Sequence, residues 1–361
     1  MNESYEQICV HLNGLTASGK FLNAGVACVD VAGETSYVCG RMEPDGIALV
    51  DPTLRLRMAS ITKAATARAV VNCASRMKVS LGCPMSDFLA FAPEGITLAQ
   101  LLSHTSGLTD HAGYIVDPPA PMSDLLAFPG AVSGDIGYFR YANLNYILLG
   151  LILERMTGRR FDRVLQEEVL GPAGTAGGFN WVGVTDRRAL PVWQRRGDTM
   201  SQTADGPGTD WAADLVWRDG AGVTLANYRI GQDTTWFSPH AGLRMNVLEA
   251  ARLARFLASD DATARKQRQV QWAFNGRNGE DCDGLFTHFG AGLTLYGGHD
   301  RIPGRLVGHA GHALGFTGGA WSNLETGIAW AYFLNGSADL TEGQDEEAFY
   351  DPDELAIMAR L

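Results

Sequence analysis

Hydrophobic positions alternate with a strand-like period near both ends of the chain and repeat with a helix-like period between them. Near the amino end, residues 25–31 and 35–40 alternate on either side of a turn, which predicts a β-hairpin. Four more strands are predicted near the other end, at residues 290–296, 305–309, 318–322 and 328–334. Short helices are predicted outside these strands, at about residues 5–12 and 352–360.

The middle of the chain is predicted to be mainly helical. Residues 60–78 are rich in alanine and contain no glycine or proline, and their buried stripe consists of Ile61, Ala65, Ala69, Val70 and Cys73. A second apolar helix begins near Asn143 and runs to Thr157, where Gly158 follows.

Strands at both ends and helices between them predict an α+β fold. We expect an antiparallel sheet flanked by the terminal helices, with a mainly helical domain inserted into it. The predicted sheet domain comprises residues 1–57 and 285–361, and the predicted helical domain comprises residues 58–284. A functional site is expected at the junction of the two, where clefts tend to form.

The pair Ser60-x-x-Lys63 is the first candidate for chemistry. Residues three apart share a helix face, so the amine of Lys63 can reach the hydroxyl of Ser60. The chain has four lysines against 25 arginines, and a buried lysine can become a neutral base whereas arginine cannot. The alternative is that Ser60 is only a helix N-cap, the commonest role of a serine at that place.

Two later segments favour a catalytic role for Ser60 and Lys63. Tyr141-x-Asn143 opens the second helix, and His309-Ala310-Gly311 ends a glycine-rich strand. With residues 101–108 between the first two motifs, the chain resembles the serine β-lactamase and penicillin-recognising superfamily, in order and approximate separation. It is most similar to the branch that holds class C β-lactamases, family VIII carboxylesterases, D-aminopeptidases and DD-peptidases. The resemblance runs from about residue 20 to about residue 335 and implies a β-lactamase/transpeptidase-like fold.

The resemblance implies a role for each residue of the first two motifs. Ser60 is expected to be the nucleophile that forms an acyl-enzyme. Lys63 and Tyr141 are expected to share the proton transfers, and the sequence leaves open which of them is the general base. Asn143 is expected to hold the Lys63 ammonium and to offer its amide to the substrate, unless it is an ordinary helix-opening asparagine.

The third motif departs from that of the lactamases, which carry Lys-Thr-Gly. His309 replaces the lysine that faces a substrate carboxylate, and an ordinary histidine is mostly neutral at pH 7. The substrate is therefore expected to lack that carboxylate or to need it less, unless Arg301 or Arg305 supplies the charge. Gly311 keeps the small residue, and the N–H of His312 is expected to complete an oxyanion hole with that of Ser60.

Other chemical signals are interpreted as structural. His104 lies between hydroxyl residues at the end of a short helix that Thr97 opens with a capping box, and we expect a helix-terminal turn there, without a catalytic role. The eight histidines have no metal-ligand spacing, so no metal and no other cofactor is predicted. Tryptophans at 181, 193, 211, 217 and 236, and the Pro118-Pro119 loop, either wall an apolar pocket or, for the tryptophans, anchor loops to the core.

Composition limits the partners and the compartment. A net charge of -11 and a pI near 5.2 oppose binding to nucleic acid or to an anionic membrane, and no apolar run reaches the roughly 20 residues of a membrane span. The first residues lack the pattern of a secretion signal, so a cytoplasmic enzyme is expected if Met1 is the true start. The six cysteines are then expected to be free thiols, although Cys28 and Cys39 could face each other across the hairpin.

Together these observations predict a serine hydrolase that acts on a small-molecule ester or amide through an acyl-Ser60 intermediate. A carboxylesterase is the leading expectation. The alternatives within the superfamily are a D-aminopeptidase or other amidase and a weak β-lactamase. From another class, the alternative is an inactive binding protein on the same fold.

Overall fold

The computed structural model describes residues 3–111, 113–114, 122–127, 131–132, 134–184, 188–205, 215–218, 221–282, 284–338 and 349–361. Its helices are α1 Glu3–Ala17, α2 Ile61–Met77, α3 Leu98–Leu102, α4 Met122–Ala127, α5 Asn143–Thr157, α6 Phe161–Leu165, α7 Val247–Leu257, α8 Ala262–Arg268 and α9 Pro352–Met358. Its strands are β1 Asn23–Val29, β2 Glu34–Gly40, β3 Leu56–Arg57, β4 Gly178–Phe179, β5 Val192–Arg196, β6 Thr199–Ala204, β7 Leu215–Arg218, β8 Ala221–Thr224, β9 Leu243–Met245, β10 Trp272–Ala273, β11 His288–Phe289, β12 Thr294–Leu295, β13 Leu306–Ala313, β14 Phe316–Asn323 and β15 Ala329–Asn335.

An eight-stranded antiparallel sheet joins the two ends of the chain. Its strand order is β10-β11-β12-β13-β14-β15-β1-β2, so the amino-terminal hairpin pairs with the last strand of the carboxyl-terminal meander. This pairing sets Val26 opposite Tyr332. Two-residue and three-residue strands form a separate small sheet in the order β3-β9-β4.

Both faces of the central strands β1, β14 and β15 are buried because helices cover each face. Side chains alternate between the faces of a strand, and Val26 and Tyr332 pack under α1 and α9 on one face. Ala27 and Phe333, their neighbours in sequence, pack on the other face with α7 and the helical region. The terminal helices therefore share one side of the sheet, and the helical region takes the other side.

Helix α2 lies between the sheet and the other helices. Its small alanine side chains permit close packing, and it contacts strand β13, helix α5 and helix α8. Ser60 precedes its first residue, and Lys78 ends it in a left-handed conformation with φ 58°. Because β13 carries the third motif and α5 carries the second, these contacts bring the three motifs toward one place.

The predicted α+β fold is confirmed, with an antiparallel sheet, terminal helices on it and helices inserted between its strands. The two-domain division stays a prediction. Within the ranges given above, no helix has both the length and the hydrophobicity needed to cross a membrane.

The suggested pairing of Cys28 with Cys39 is wrong. The register of the hairpin sets Cys28 opposite Thr35 and Cys39 opposite Ala24, so the two thiols are not cross-strand neighbours. All six cysteines are free.

Two of the tryptophans act as anchors for loops. The indole of Trp181 is buried and donates to Asp205 Oδ1 at 2.8 Å, and that of Trp193 donates to the carbonyl of Met42 at 3.0 Å. Trp236 is also buried. Trp211, the side chain of Trp217 and the Pro118-Pro119 pair lie outside the described residues.

Candidate active site

Ser60 occupies the N-cap position of α2, but its side chain does not cap the helix. Its Oγ instead lies 2.7 Å from Nζ of Lys63, which is the contact that the i, i+3 spacing predicts. The preceding residue, Ala59, has φ 45°, in the left-handed region that non-glycine residues rarely adopt. The N-cap interpretation therefore fails for the hydroxyl, which is left to interact with the lysine.

Lys63 is fully buried and has three hydrogen-bond partners. Its Nζ contacts Ser60 Oγ, Asn143 Oδ1 at 2.8 Å and the carbonyl of His240 at 3.3 Å. The ring of Tyr141 lies 4.9 Å from the same nitrogen. Burial disfavours the ammonium and lowers the pKa of Lys63 to about 7, although the charge of Asp110 acts in the opposite direction. A substantial fraction of this amine is therefore neutral at physiological pH.

Tyr141 is held between two rings. The imidazole of His104 stacks on it at 4.4 Å between centroids, and Phe286 lies parallel to it at 6.2 Å. The phenol hydrogen-bonds with Ser60, but burial outweighs this bond and raises the pKa of Tyr141 well above its usual value. The phenol thus keeps its proton at working pH.

His104 packs against the ring of Tyr141 and also contacts the main chain beside it. Its Nδ1 accepts the main-chain N–H of Ala142 at 3.2 Å, and burial holds the pKa of His104 well below its ordinary value. A neutral ring that stacks on Tyr141 is consistent with the structural role predicted for this histidine. The sequence pattern did not indicate that it would contact the second motif.

His309, on strand β13, also contacts Tyr141. Its Nδ1 lies 2.5 Å from the carbonyl of Ala310, which can only accept, so Nδ1 carries the proton and Nε2 has a free lone pair. That Nε2 lies 3.5 Å from Tyr141 Oη. Burial, together with the nearby Lys63, lowers the pKa of His309 to about 3. The third motif thus carries an uncharged ring at His309.

Gly311 packs against the segment that carries Ser60. A Cβ added to Gly311 would lie 2.6 Å from the carbonyl oxygen of Met58 and 3.3 Å from the N of Ser60. The expected reason for a glycine was the approach of substrate, and the structure adds another, the approach of the protein's own main chain.

His312 turns its side chain away from this site. Its Nε2 lies 2.6 Å from Oε2 of Glu354, a carboxylate buried on the α9 face of the sheet. Tyr332 donates to the other oxygen at 2.9 Å. The oxyanion-hole contribution expected of His312 requires only its main-chain N–H and stays a prediction.

Asp110 belongs to the site and was not predicted. It accepts hydrogen bonds from Asn143 and from the first turn of α5. It lies 33 residues before Asn143, and no local spacing indicates a contact over that distance.

The arginines proposed as substitutes for the lactamase lysine lie elsewhere. Arg305 precedes Gly311 by six residues on or beside an extended strand, which corresponds to roughly 20 Å. Arg301 comes earlier still, and both are exposed. Lys63 is the basic residue within the three motifs themselves. Within the part of the chain that the structure describes, no group of three or more His, Cys, Asp or Glu side chains could hold a metal ion.

The family model described as Beta-lactamase matches residues 19–351. The chain belongs to the Beta-lactamase family. The resemblance inferred from the three motifs is thereby confirmed.

Curated relatives of this Beta-lactamase family member match only part of it. A proposed penicillin-binding protein of Bacillus subtilis (strain 168), PbpX, is 29% identical over 133 residues, which are 36% of this chain and 34% of that protein. The protein named flp of Staphylococcus aureus is 27% identical over 146 residues, 37% of this chain and 29% of its own length. The chain thus spans about a third of the length of these relatives.

Solved structures match nearly the whole fold. D-amino acid amidase from Ochrobactrum anthropi SV3, in complex with L-phenylalanine amide, has a TM-score of 0.74 at 18% identity, over 99% of this chain and 97% of its own. An octameric penicillin-binding protein homologue from Pyrococcus abyssi has a TM-score of 0.71 at 20% identity, over 98% of this chain and 76% of its own. At such identities these likenesses concern the fold.

Proposed function

We propose that this protein is a serine hydrolase, a carboxylesterase, that cleaves small uncharged esters through an acyl-Ser60 intermediate. The observation that carries the proposal is the contact between Lys63 Nζ and Ser60 Oγ at 2.7 Å, made by an amine whose pKa is lowered to about 7. A base of that pKa near its nucleophile suits general-base catalysis at neutral pH.

Acylation starts when neutral Lys63 takes the proton of the Ser60 hydroxyl. Ser60 Oγ then attacks the ester carbonyl carbon, and the N–H groups of Ser60 and His312 stabilise the oxyanion. As the intermediate collapses, the bond to the alcohol oxygen breaks and that oxygen receives the proton held by Lys63. Tyr141 stays a protonated phenol in this scheme and is not the base, because its raised pKa makes the phenolate unfavourable.

Deacylation repeats the same steps with water. Lys63 accepts a proton from water, the resulting hydroxide attacks the acyl carbon, and Ser60 leaves with the returned proton. The net change is one ester and one water converted into one carboxylic acid and one alcohol. The lysine ends each half-reaction in the protonation state in which it began.

The charge distribution favours an uncharged substrate. His309, at the position of the lactamase lysine, is neutral because burial lowers its pKa to about 3, and Arg305 lies roughly 20 Å along the strand from Gly311. Among the described residues of the three motifs, a substrate carboxylate would therefore lose its hydration without gaining a cationic partner at His309, which is costly. This favours esters over β-lactams, which carry such a carboxylate.

An amidase is the second candidate, because the fold of D-amino acid amidase matches 99% of the chain. An amino-acid amide carries an ammonium group that needs an acceptor. Asp110 is the carboxylate beside Asn143, and three N–H donors already occupy it. An ester also makes a weaker demand on proton donation, since an alkoxide leaves more readily than an amide ion. Esters are therefore the substrate class proposed first, and amides the second.

The test is a substrate panel with wild type and Ser60→Ala. The panel contains short-chain p-nitrophenyl esters, D- and L-amino-acid amides and a chromogenic cephalosporin. We expect ester turnover to exceed the other two, and Ser60→Ala to lower kcat/KM for the ester by at least about 10³-fold. Preferred turnover of D-amino-acid amides would favour the amidase. Turnover of no substrate, or equal rates in the variant, would contradict the hydrolase assignment and leave a binding protein.

A further inference from the structure

Asp110 replaces the missing cap of helix α5. The N-cap position of this helix is held by Ala142, whose side chain cannot cap. Asp110 instead accepts the N–H of Asn143 on Oδ2 at 2.9 Å and the N–H of Leu144 on Oδ1 at 3.0 Å. A carboxylate at the start of a helix is also favoured by the helix dipole. The start of α5 is thus fixed by a residue from a different part of the chain.

The same carboxylate determines which way the Asn143 side chain faces. Asn143 Nδ2 donates to Asp110 Oδ2 at 2.9 Å, so its other end, Oδ1, is directed at Lys63 and lies 2.8 Å from Nζ. An amide has a donor end and an acceptor end, and the rotated form would set two donors against the lysine amine. Asp110, Asn143 and Lys63 therefore form a chain of hydrogen bonds with a single favourable orientation.

Asp110 is also the charged side chain that acts on Lys63 within the described residues. The ionisable groups packed around the amine are the rings of Tyr141, Tyr146, His104 and His309. Burial keeps all four uncharged, since it raises the pKa values of the two phenols and lowers those of the two imidazoles. His240 faces the amine through its main-chain carbonyl. Asp110 thus partly offsets the effect of burial on Lys63.

We propose that Asp110 is a positioning residue of the catalytic site. It holds the Asn143 amide in the orientation that contacts Lys63, and its negative charge favours the ammonium form of the lysine. The inference rests on the proposed function, in which Lys63 is the general base. Asp110 is expected to affect the reaction in two ways, by orienting the Asn143 amide and by its negative charge near Lys63. Substitutions of Asp110 can separate these two effects.

Asp110→Asn removes the charge and replaces one of the two acceptor oxygens by an NH2 group, so the side chain can no longer accept from both Asn143 and Leu144. We expect kcat/KM for a p-nitrophenyl ester at pH 9 to fall roughly 10-fold to 100-fold. Without the nearby negative charge the ammonium is less favoured, so the acid limb of the pH profile should move to lower pH. Asp110→Glu keeps the charge and displaces it, so the rate should fall while the limb stays near that of wild type.

Asp351→Asn is the matched control. Asp351 also caps a helix, α9, by accepting the N–H of Asp353 at 2.8 Å. Its loss should leave both the rate and the acid limb unchanged, and thermal melts of all variants verify folding. Ser60→Ala is assayed in parallel, because wild-type turnover in that variant would overturn the proposed function itself.

If Ser60→Ala is inactive and Asp110→Asn has the rate and acid limb of Asp351→Asn, the assignment of Asp110 alone is overturned. A loss of rate in Asp110→Asn with an unmoved acid limb would overturn the contribution through charge. If Asp110→Asn does not fold, Asp110→Glu decides: a reduced rate with an unmoved limb supports the positioning role, and wild-type kinetics overturn it.

Discussion

The Lys63 amine lies 2.7 Å from the Ser60 hydroxyl on its own helix and 2.8 Å from the Asn143 amide oxygen on α5. The first contact follows from helix geometry, and the second joins residues 80 positions apart. One buried nitrogen therefore connects Ser60 to the second motif. Its protonation state should govern both the chemistry and part of the stability.

Activity should rise with pH through about 7. The base is active when neutral, and burial lowers the pKa of Lys63 to about 7, so kcat/KM for an ester should increase across that pH with the slope of one proton. Lys63→Arg keeps the cation but cannot become neutral, and its kcat/KM should be about 10²-fold to 10⁴-fold lower. A pH profile of both enzymes tests this. An unchanged acid limb in Lys63→Arg would exclude Lys63 as the base.

Stability should depend on pH through the same lysine. The folded-state pKa of Lys63, about 7, lies below its unfolded value of roughly 10.4. Between these values the unfolded chain binds more protons, so the free energy of unfolding should rise with pH by on the order of 1 kcal/mol per unit. Lys63→Met lacks this contribution. Denaturant titrations at pH 7, 8 and 9 should show wild type gaining stability relative to the variant, and a constant difference would contradict the prediction.

His309→Lys should shift selectivity toward a substrate with a carboxylate. The variant places an ammonium where burial now keeps a neutral imidazole, and the ratio of cephalosporin to ester kcat/KM should rise about 10-fold. The melting temperature should fall because a buried, unpaired cation is costly. His309→Gln is the neutral control. Equal selectivity in the two variants would show that charge at this position does not select the substrate.

Gly311→Ala should damage the site through the main chain. The new Cβ would lie 2.6 Å from the Met58 carbonyl oxygen, in a segment that leads directly to Ser60. We expect a loss of about 1–3 kcal/mol in stability from overpacking and a fall of about 10²-fold in kcat/KM from misplacement. Gly297→Ala, where an added Cβ meets nothing within 4 Å, is the control. Equal melting temperatures and rates in both variants would refute this account of Gly311.

The predictable part of the site is the part that a local period or a known motif specifies. The spacing of Ser60 and Lys63 indicated a shared helix face, and the alternation of the terminal strands indicated the sheet. The contact between Asp110 and Asn143 was beyond prediction, because it depends on how a loop returns to the start of a helix. The wrong prediction that Cys28 faces Cys39 has a similar cause. The register of the hairpin, which the sequence pattern did not specify, places each thiol opposite another residue.

The histidine of the third motif shows where chemistry was predictable and geometry was not. A histidine in place of lysine already indicated reduced charge. Its tautomer follows only from the carbonyl of Ala310 beside Nδ1, and its low pKa only from burial. Likewise, strand alternation places the side chains of His309 and His312 on opposite faces of the sheet, but the carboxylate that contacts His312 comes from α9, near the end of the chain.

The most direct test is the detection of the acyl-enzyme on Ser60. The protein is mixed with a p-nitrophenyl ester, quenched in acid within one turnover and digested, and the peptides are analysed by mass spectrometry. The account predicts one acyl group on the peptide that contains Ser60, and no acyl group anywhere in Ser60→Ala. Acylation at another residue, or hydrolysis by Ser60→Ala at the wild-type rate, would contradict it.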